Sequence, residues 1–328
     1  VANAKAFYKP VNEGIVPRKA ADHHSEHAGR IVKEAMEQAK NALMAAGGPG
    51  AGDFDFSSLD GIAFACGPGL GPCLQTGAAA AAFLALKYDL PLAGVNHCHA
   101  HVEVARWQLG YSDPLALYVS GGNTQLVVGT KHGGRKAGRA GAGTSPSFGA
   151  PFRVLGETLD MGVGNLFDAF ARRLGEKWAH GSVVAAKAAA GKNYHPLPYT
   201  VKGMNFAFSG LLTAAEREIG KVDENDLCYS LMETAFAELC EASERALLLT
   251  GKKEVVVCGG VAQNPHLVGM VKQMAESHGA NAGAAENQYN ADNGGMIALA
   301  GAQMLEAGKA VDARRVEIDQ RYRIDQVE

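Results

Sequence analysis

The 328-residue sequence has no apolar run long enough to cross a bilayer. Its longest, Gly77 to Leu86 (GAAAAAFLAL), falls well short of the roughly 20 residues a spanning helix needs and reads as a buried helix. The residues after Val1 hold no basic segment followed by an apolar stretch and a cleavage site, so the expectation is a cytoplasmic protein with no membrane partner. The six cysteines, Cys66, Cys73, Cys98, Cys228, Cys240 and Cys258, form no CxxC pair. Zinc knuckles and thiol redox couples are thereby removed, leaving free, buried thiols. Nor is there an excess of positive charge: 31 Lys and Arg against 34 Asp and Glu give a formal charge of -3. A nucleic acid cannot be gripped by the whole surface of such a chain, and any RNA contact needs a local patch or a partner. No internal repeat is visible, and the 41 glycines are scattered through short turn signals, as in a globular rather than a fibrous or disordered chain.

With 47% apolar residues, a chain of this length buries a sizeable core and exceeds one ordinary domain, so two lobes are expected. Helical spacing runs from Ala20 to Ala46 and stops at Gly47-Gly48-Pro49-Gly50. A short apolar run, Gly61 to Cys66, then leads through Gly67-Pro68-Gly69-Leu70-Gly71-Pro72 into the alanine-rich helix, an order of strand, glycine loop and helix. Pro91 to Val95 and Leu115 to Ser120 read as buried strands with Asn96 and Gly121 at their C-terminal ends, where open α/β sheets place ligands. Leu126 to Thr130 continues as a strand, and Lys131 to Pro151 reads as a flexible hairpin insertion. Asp160 to Leu174, Asp226 to Leu249 and Asn293 to Ala307 read as helices, and Glu254 to Cys258 as a strand feeding Gly259-Gly260. The class is α/β.

His97 and His101 stand four apart in NHCHAHVEVAR, which puts both imidazoles on one helical face, able to chelate one metal ion if a third ligand comes from elsewhere. A lone HxxxH is as often structural as metal-binding. His99, between them, points to another side and reads as a surface or supporting residue. A zinc protease would place its general-base glutamate at position 98, where this chain has Cys98. Tyr118-Val119-Ser120-Gly121-Gly122 runs a strand into small residues whose amides can cradle a phosphate or acyl group, or simply close a turn. Gly259, Gly260 and Asn264 in VVVCGGVAQN repeat that logic, and two such loops suggest a nucleotide cleft. Asp292 is either the N-cap of the helix after it or the carboxylate a two-histidine site lacks, and Asp168 either a solvated helix residue or a ribose-hydroxyl acceptor.

Taken together, PRKAADHH (17–24), GPGLGP (67–72), GVNHCHAH (94–101), YVSGGNTQL (118–126), GETLDMGVGNLFDAFAR (156–172), LPYTVKGMNFAFSG (197–210), CGGVAQN (258–264), ADNGGMIA (291–298) and QRYRIDQVE (320–328) resemble the tRNA threonylcarbamoyladenosine transferase family. The resemblance is to its archaeal and eukaryotic branch, the catalytic subunit of the KEOPS complex. It implies a two-lobed, actin-like α/β fold with nucleotide between the lobes. On this sequence the first lobe would be 1–115 completed by 300–328, and the second 116–299 carrying the 131–151 insertion. It implies one divalent metal, iron(II) first with zinc(II) or manganese(II) as alternatives, held by His97, His101 and Asp292 with Tyr118 close by. Tyr118, Val119, Ser120, Gly121 and Gly122 would line the substrate, threonylcarbamoyl-AMP, and Asp168, Gly181 and Asn264 match nucleotide-binding positions. The implied reaction moves the threonylcarbamoyl group to the exocyclic amine of a tRNA adenosine beside the anticodon and releases AMP, without a covalent nucleophile. Partners implied are tRNA, a small kinase or ATPase subunit and a small dimerising subunit.

This sequence departs from that pattern in places. The family opens with a strand and a phosphate-touching turn, whereas this sequence starts beyond them, so its first lobe is expected to lack the leading strands. The family's Pro before the glycine matched by Gly181 is His180 here, and its acidic residue four after it is Ala185, which puts a ribose contact in doubt. Arg135 and Arg139 in the insertion are expected to meet solvent rather than tRNA, while Arg18, Lys19, His23 and His24 form a local cationic cluster that either helps place tRNA or merely starts a helix. Rival readings are a nucleotide-binding scaffold and an actin-like ATPase or sugar kinase, which needs no HxxxH pair.

Overall fold

The computed structural model describes residues 2–8, 15–47, 51–130 and 151–327. The glycine-rich stretch from Lys131, with Arg135 and Arg139, lies outside the described residues apart from Pro151. In chain order the elements are α1 (Pro17–Ala45), β1 (Ile62–Gly67), α2 (Gly71–Tyr88), β2 (Leu92–Asn96), α3 (His97–Leu109), β3 (Leu115–Val119), β4 (Thr124–Gly129), β5 (Phe152–Glu157), α4 (Val163–Arg173), α5 (Gly181–Ala188), β6 (Val201–Lys202), β7 (Asn205–Phe206), α6 (Ser209–Glu218), α7 (Glu224–Thr250), β8 (Glu254–Cys258), α8 (Pro265–Ser277), β9 (Asn281–Ala284), α9 (Asn287–Asn290) and α10 (Gly294–Glu306). The described residues group into two compact units, one from the residues up to Val104 together with those from Asp292 onward, the other from Ala105 to Ala291. No helix among the described residues is long and apolar enough to cross a membrane.

In the first unit β1 and β2 run parallel, with Ala63 opposite Ala93 and Phe64 opposite Gly94. Parallel neighbours need a crossover, and α2 supplies it. Pro72 sits in the first turn of α2, where its missing N–H costs nothing, and Asp89 in the left-handed region ends the helix. Only Gly71, Ala78, Ala81 and Ala85 of α2 are buried, while Phe83 and Leu86 are exposed. The expectation of a buried helix is therefore corrected to a half-buried one: alanines spaced three and four apart make a smooth inner face, and the larger apolar side chains fall outside it. On the sheet side, α10 comes so close that a Cβ on Gly301 would lie 2.3 Å from that of Ala63, an approach only glycine permits.

The second unit is built on a five-stranded sheet in the order β5-β4-β3-β8-β9. β3, β8 and β9 are parallel, with Leu117 opposite Val257 and Val256 opposite Gly283, and β4 and β5 extend the sheet antiparallel. Central parallel strands are covered on both faces, which is why Val255, Val256 and Val257 are all buried without alternation. The long α7 starts where the Asp223 carboxylate accepts the N–H groups of Asn225 and Asp226, and stops at Gly251 with φ 63°. Leu227, Leu231, Phe236 and Leu239 on α7 are fully buried in one cluster with Leu117, Leu126, Phe170, Phe206 and Phe208. Each such side chain contributes about 1.5–3 kcal/mol on leaving water, so this cluster secures the strand ends and glycine loops around it.

Candidate metal centre and substrate loops

β2 ends at Asn96, whose Oδ1 accepts the His99 N–H at 3.0 Å and so starts α3 at His97. Helical phase then brings His97 and His101 to one side, where both meet Asp292 from the segment just before α10. His97 Nε2 lies 3.4 Å and His101 Nε2 3.2 Å from the same Asp292 Oδ1, with ring centroids 4.8 Å apart. The three ligand atoms all fall within 4.8 Å of one another. Between the two readings left open for Asp292, the cap belongs to its neighbour: Asn293 accepts the Met296 N–H and caps α10, which frees the Asp292 carboxylate to face the histidines.

Burial pushes His101 down, toward the neutral imidazole, and the hydrogen bond to Asp292 only partly opposes this. For Asp292, desolvation acts upward, but the bonds to His101 and His97 and their charge outweigh it and hold the carboxyl well below the usual carboxylate range. A neutral imidazole and an ionised carboxylate are the forms that ligate metals. Two nitrogens and one oxygen converging on one point fit a divalent cation of the iron, zinc or manganese kind.

His99 is buried, not on the surface, and stands 3.9 Å from Glu103 one turn on. Cys98, which stands where a zinc protease carries its glutamate base, is buried as well. Of the cationic cluster at the start of α1, Arg18 pairs with Asp22 at 3.3 Å, and the rings of His23 and His27 stack at 4.2 Å beside His24. Desolvation and the two neighbouring imidazoles push His24 down.

The second unit holds the other singled-out residues. Tyr118 and Val119 are buried on β3, and Ser120 begins a turn in which its N–H donates to Asn123 O at 2.8 Å. Gly121 and Gly122 are exposed at its tip. α4 backs this turn: the N–H groups of Gly164 and Asn165 donate to the carbonyls of Ser120 and Gly121, and Val163 N–H to Thr124 Oγ1. A Cβ on Gly164 would lie 2.8 Å from Gly121 Cα, so the two loops touch through glycine. Gly259, with φ 97°, packs as closely against Val119 O, and Gly260 is exposed beside it. Asn264 caps α8 by accepting the His266 N–H at 2.9 Å.

Asp168 accepts the Gly181 N–H at 2.7 Å. Burial raises its carboxyl, opposed by that bond and by His180 and Arg172. His180 does what a proline cannot: its Nδ1 accepts the Ser182 N–H and caps α5, while its ring stacks on Trp178 at 4.8 Å.

The sequence places Asn96 at a strand end without assigning it a role, and gives Asp160 none. The Asp160 carboxylate accepts the N–H groups of Met161, Phe208 and Ser209, tying the loop before α4 to the start of α6. Desolvation would raise it, but these donors and the Ser209 hydroxyl hold it low. The signal was an acidic residue inside GETLDMG, too far from FSG in sequence to be paired with it.

Comparison with known proteins bears on what these parts do. Residues 1–299 match the family described as tRNA N6-adenosine threonylcarbamoyltransferase. The chain is 43% identical over 327 residues to the tRNA N6-adenosine threonylcarbamoyltransferase of Methanocella arvoryzae, covering all of this chain and 90% of that one. It is 42% identical over 327 residues to a probable bifunctional tRNA threonylcarbamoyladenosine biosynthesis protein of Methanosarcina mazei, covering all of this chain but 55% of that one. The chain thus spans about half the length of the bifunctional relatives it matches. Among solved structures it is similar to HypF of T. kodakarensis, with a TM-score of 0.56 at 15% identity over 77% of this chain and 41% of that one. At that identity the likeness concerns the fold, the actin-like α/β arrangement expected from the sequence.

Proposed function

We propose that the chain catalyses the reaction of the family to which it belongs, the tRNA N6-adenosine threonylcarbamoyltransferases. In that reaction the N6 amine of a tRNA adenosine beside the anticodon attacks the carbamoyl carbon of threonylcarbamoyl-AMP. The bond from that carbon to the AMP phosphate oxygen breaks, the amine loses a proton, and AMP leaves. The observation that carries a transferase over an actin-like kinase is the convergence of His97, His101 and Asp292, which phosphoryl transfer to a small acceptor does not require.

In this reading His97 and His101 supply two nitrogens and Asp292 one oxygen to a divalent metal, iron(II) first. Bound there, the metal would act as a Lewis acid toward the carbamoyl carbonyl or the threonyl carboxylate. The exposed amides of Gly121, Gly122 and Gly260 would receive the phosphate and the developing oxyanion, preorganised by the glycine contacts behind them. Asp168 would accept a ribose hydroxyl at the position Gly181 shares, and Tyr118 would line the substrate from β3. The chain would work in the cytoplasm, where tRNA is its substrate, with the small kinase or ATPase subunit and dimerising subunit of a KEOPS-type complex. A scaffold without turnover is the second reading.

The test supplies purified chain with those subunits, labelled threonylcarbamoyl-AMP and tRNA. Label entering tRNA in step with AMP release supports the transferase. AMP or phosphate released without labelled tRNA contradicts it.

A further inference from the structure

We infer that Asn96 is a positioning residue for the proposed metal centre, and that through it the centre's hold on its metal depends on the C-terminal segment of the chain. The inference rests on the reading of His97, His101 and Asp292 given above. Asn96 is 2% exposed, lies at the end of β2 and immediately precedes His97. Its two amide atoms serve different ends. Oδ1 accepts the His99 N–H and fixes where α3 starts, and so the phase that sets His97 and His101 side by side. Nδ2 donates to the carbonyl oxygens of Tyr322, at 3.0 Å, and Arg323, at 3.3 Å. A primary amide offers an acceptor and two donors on one short stem; aspartate keeps only the acceptor.

The segment that Asn96 grips is held at the same place from the other strand. Asp319 N–H donates to Cys66 O at 2.8 Å, and Gly69 N–H to Gln320 O at 3.3 Å. Gly67 approaches so closely that a Cβ there would lie 1.8 Å from Asp319 O, and one on Gly71 would lie 2.6 Å from the Gln320 side chain. Gly67 pairs with Asn96 across the sheet, so the C-terminal segment lies across the ends of β1 and β2, with Ile324 buried. A segment fixed at that many points fixes the Asn96 amide, and a fixed amide fixes the first turn of the helix that carries both histidines. Groups that orient ligands from behind typically change metal affinity by 10–100-fold when removed.

The test titrates zinc(II) into metal-stripped protein by calorimetry. Asn96→Asp, which keeps the cap and drops both donors, is expected to bind zinc about tenfold more weakly, and Asn96→Ala about 100-fold, in titrations run well below each variant's melting point. His97→Ala is the control for the reading beneath the inference. Unchanged zinc affinity in both Asn96 variants while His97→Ala loses zinc overturns the inference alone; unchanged affinity in all three overturns the metal reading as well. Should the variants fail to fold, hydrogen exchange on the unaltered protein decides. Coupling is reciprocal, so zinc must slow exchange at the amides of Asp319 and Tyr322 several-fold, and tail amides indifferent to zinc overturn the inference.

Discussion

Glu238 offers a measurable consequence of how α7 is packed. Side chains on α7 at intervals of four and eight residues hold the irregular segment before β6. Asp226 accepts from the amides of Lys192 and Asn193, Ser230 Oγ from His195 N–H, and Glu238 Oε1 from Thr200 N–H at 2.8 Å. Glu238 is fully buried, and its Oε2 has no hydrogen-bond partner among the described residues. Burial drives its carboxyl up to about 7, with Glu241 and Asp160 adding to the rise and the Thr200 amide opposing it. Raised from the ordinary glutamate value of 4.5, such a group favours the fold most below its unfolded value, and that contribution is lost as pH climbs to about 7. At 1.36 kcal/mol for each unit, the loss is roughly 3 kcal/mol. Glu238→Gln keeps the shape and removes the charge. Urea unfolding of both proteins between about pH 5 and pH 8 should show the variant gaining on the wild type by roughly that amount across the range. A difference between the two proteins that is the same at both ends would refute the reasoning.

His97→Ala and His101→Ala should each abolish metal retention, read by elemental analysis; His97→Ala should unfold near the wild-type temperature because its side chain is partly exposed, while His101→Ala, which empties a fully buried position, should melt lower but still cooperatively. Gly301→Val should destabilise the first unit by on the order of 3 kcal/mol, seen as a lowered melting point, because the added Cβ meets Ala63 at 2.3 Å. Asp168→Asn should weaken AMP binding about tenfold, the worth of one hydrogen bond to a charged group. Calorimetry checks this, and the melting point should hold because the asparagine side-chain oxygen can still accept the Gly181 N–H.

Much of the α/β order was legible because the buried strands are short unbroken apolar runs followed by glycine, as in EVVVC and LALYV. Boundaries moved where capping decided them. α1 starts at Pro17 rather than Ala20, because proline suits a first turn, and α10 starts one residue after its expected beginning because Asn293 is its cap. The short β5, β9 and α5 were not foreseen, since their sequences are too brief or too rich in alanine and glycine to show a period. For the site, the spacing of His97 and His101 showed one face of a helix, but no spacing rule could reach Asp292, 191 residues beyond His101. Asn96 is the clearest case of what sequence hides: its donors meet main-chain carbonyls, which leave no mark on residue identity at 322 and 323.

The central claim is that His97, His101 and Asp292 hold the metal on which threonylcarbamoyl transfer to tRNA depends. It is tested most directly by digesting tRNA after reaction and counting threonylcarbamoyladenosine by mass spectrometry, with and without chelator and with His101→Ala in parallel. Modified adenosine is expected in the untreated wild type, little after chelation, recovery on adding back iron(II), and none in the variant. Modification that persists undiminished in the chelated enzyme and in His101→Ala would contradict it.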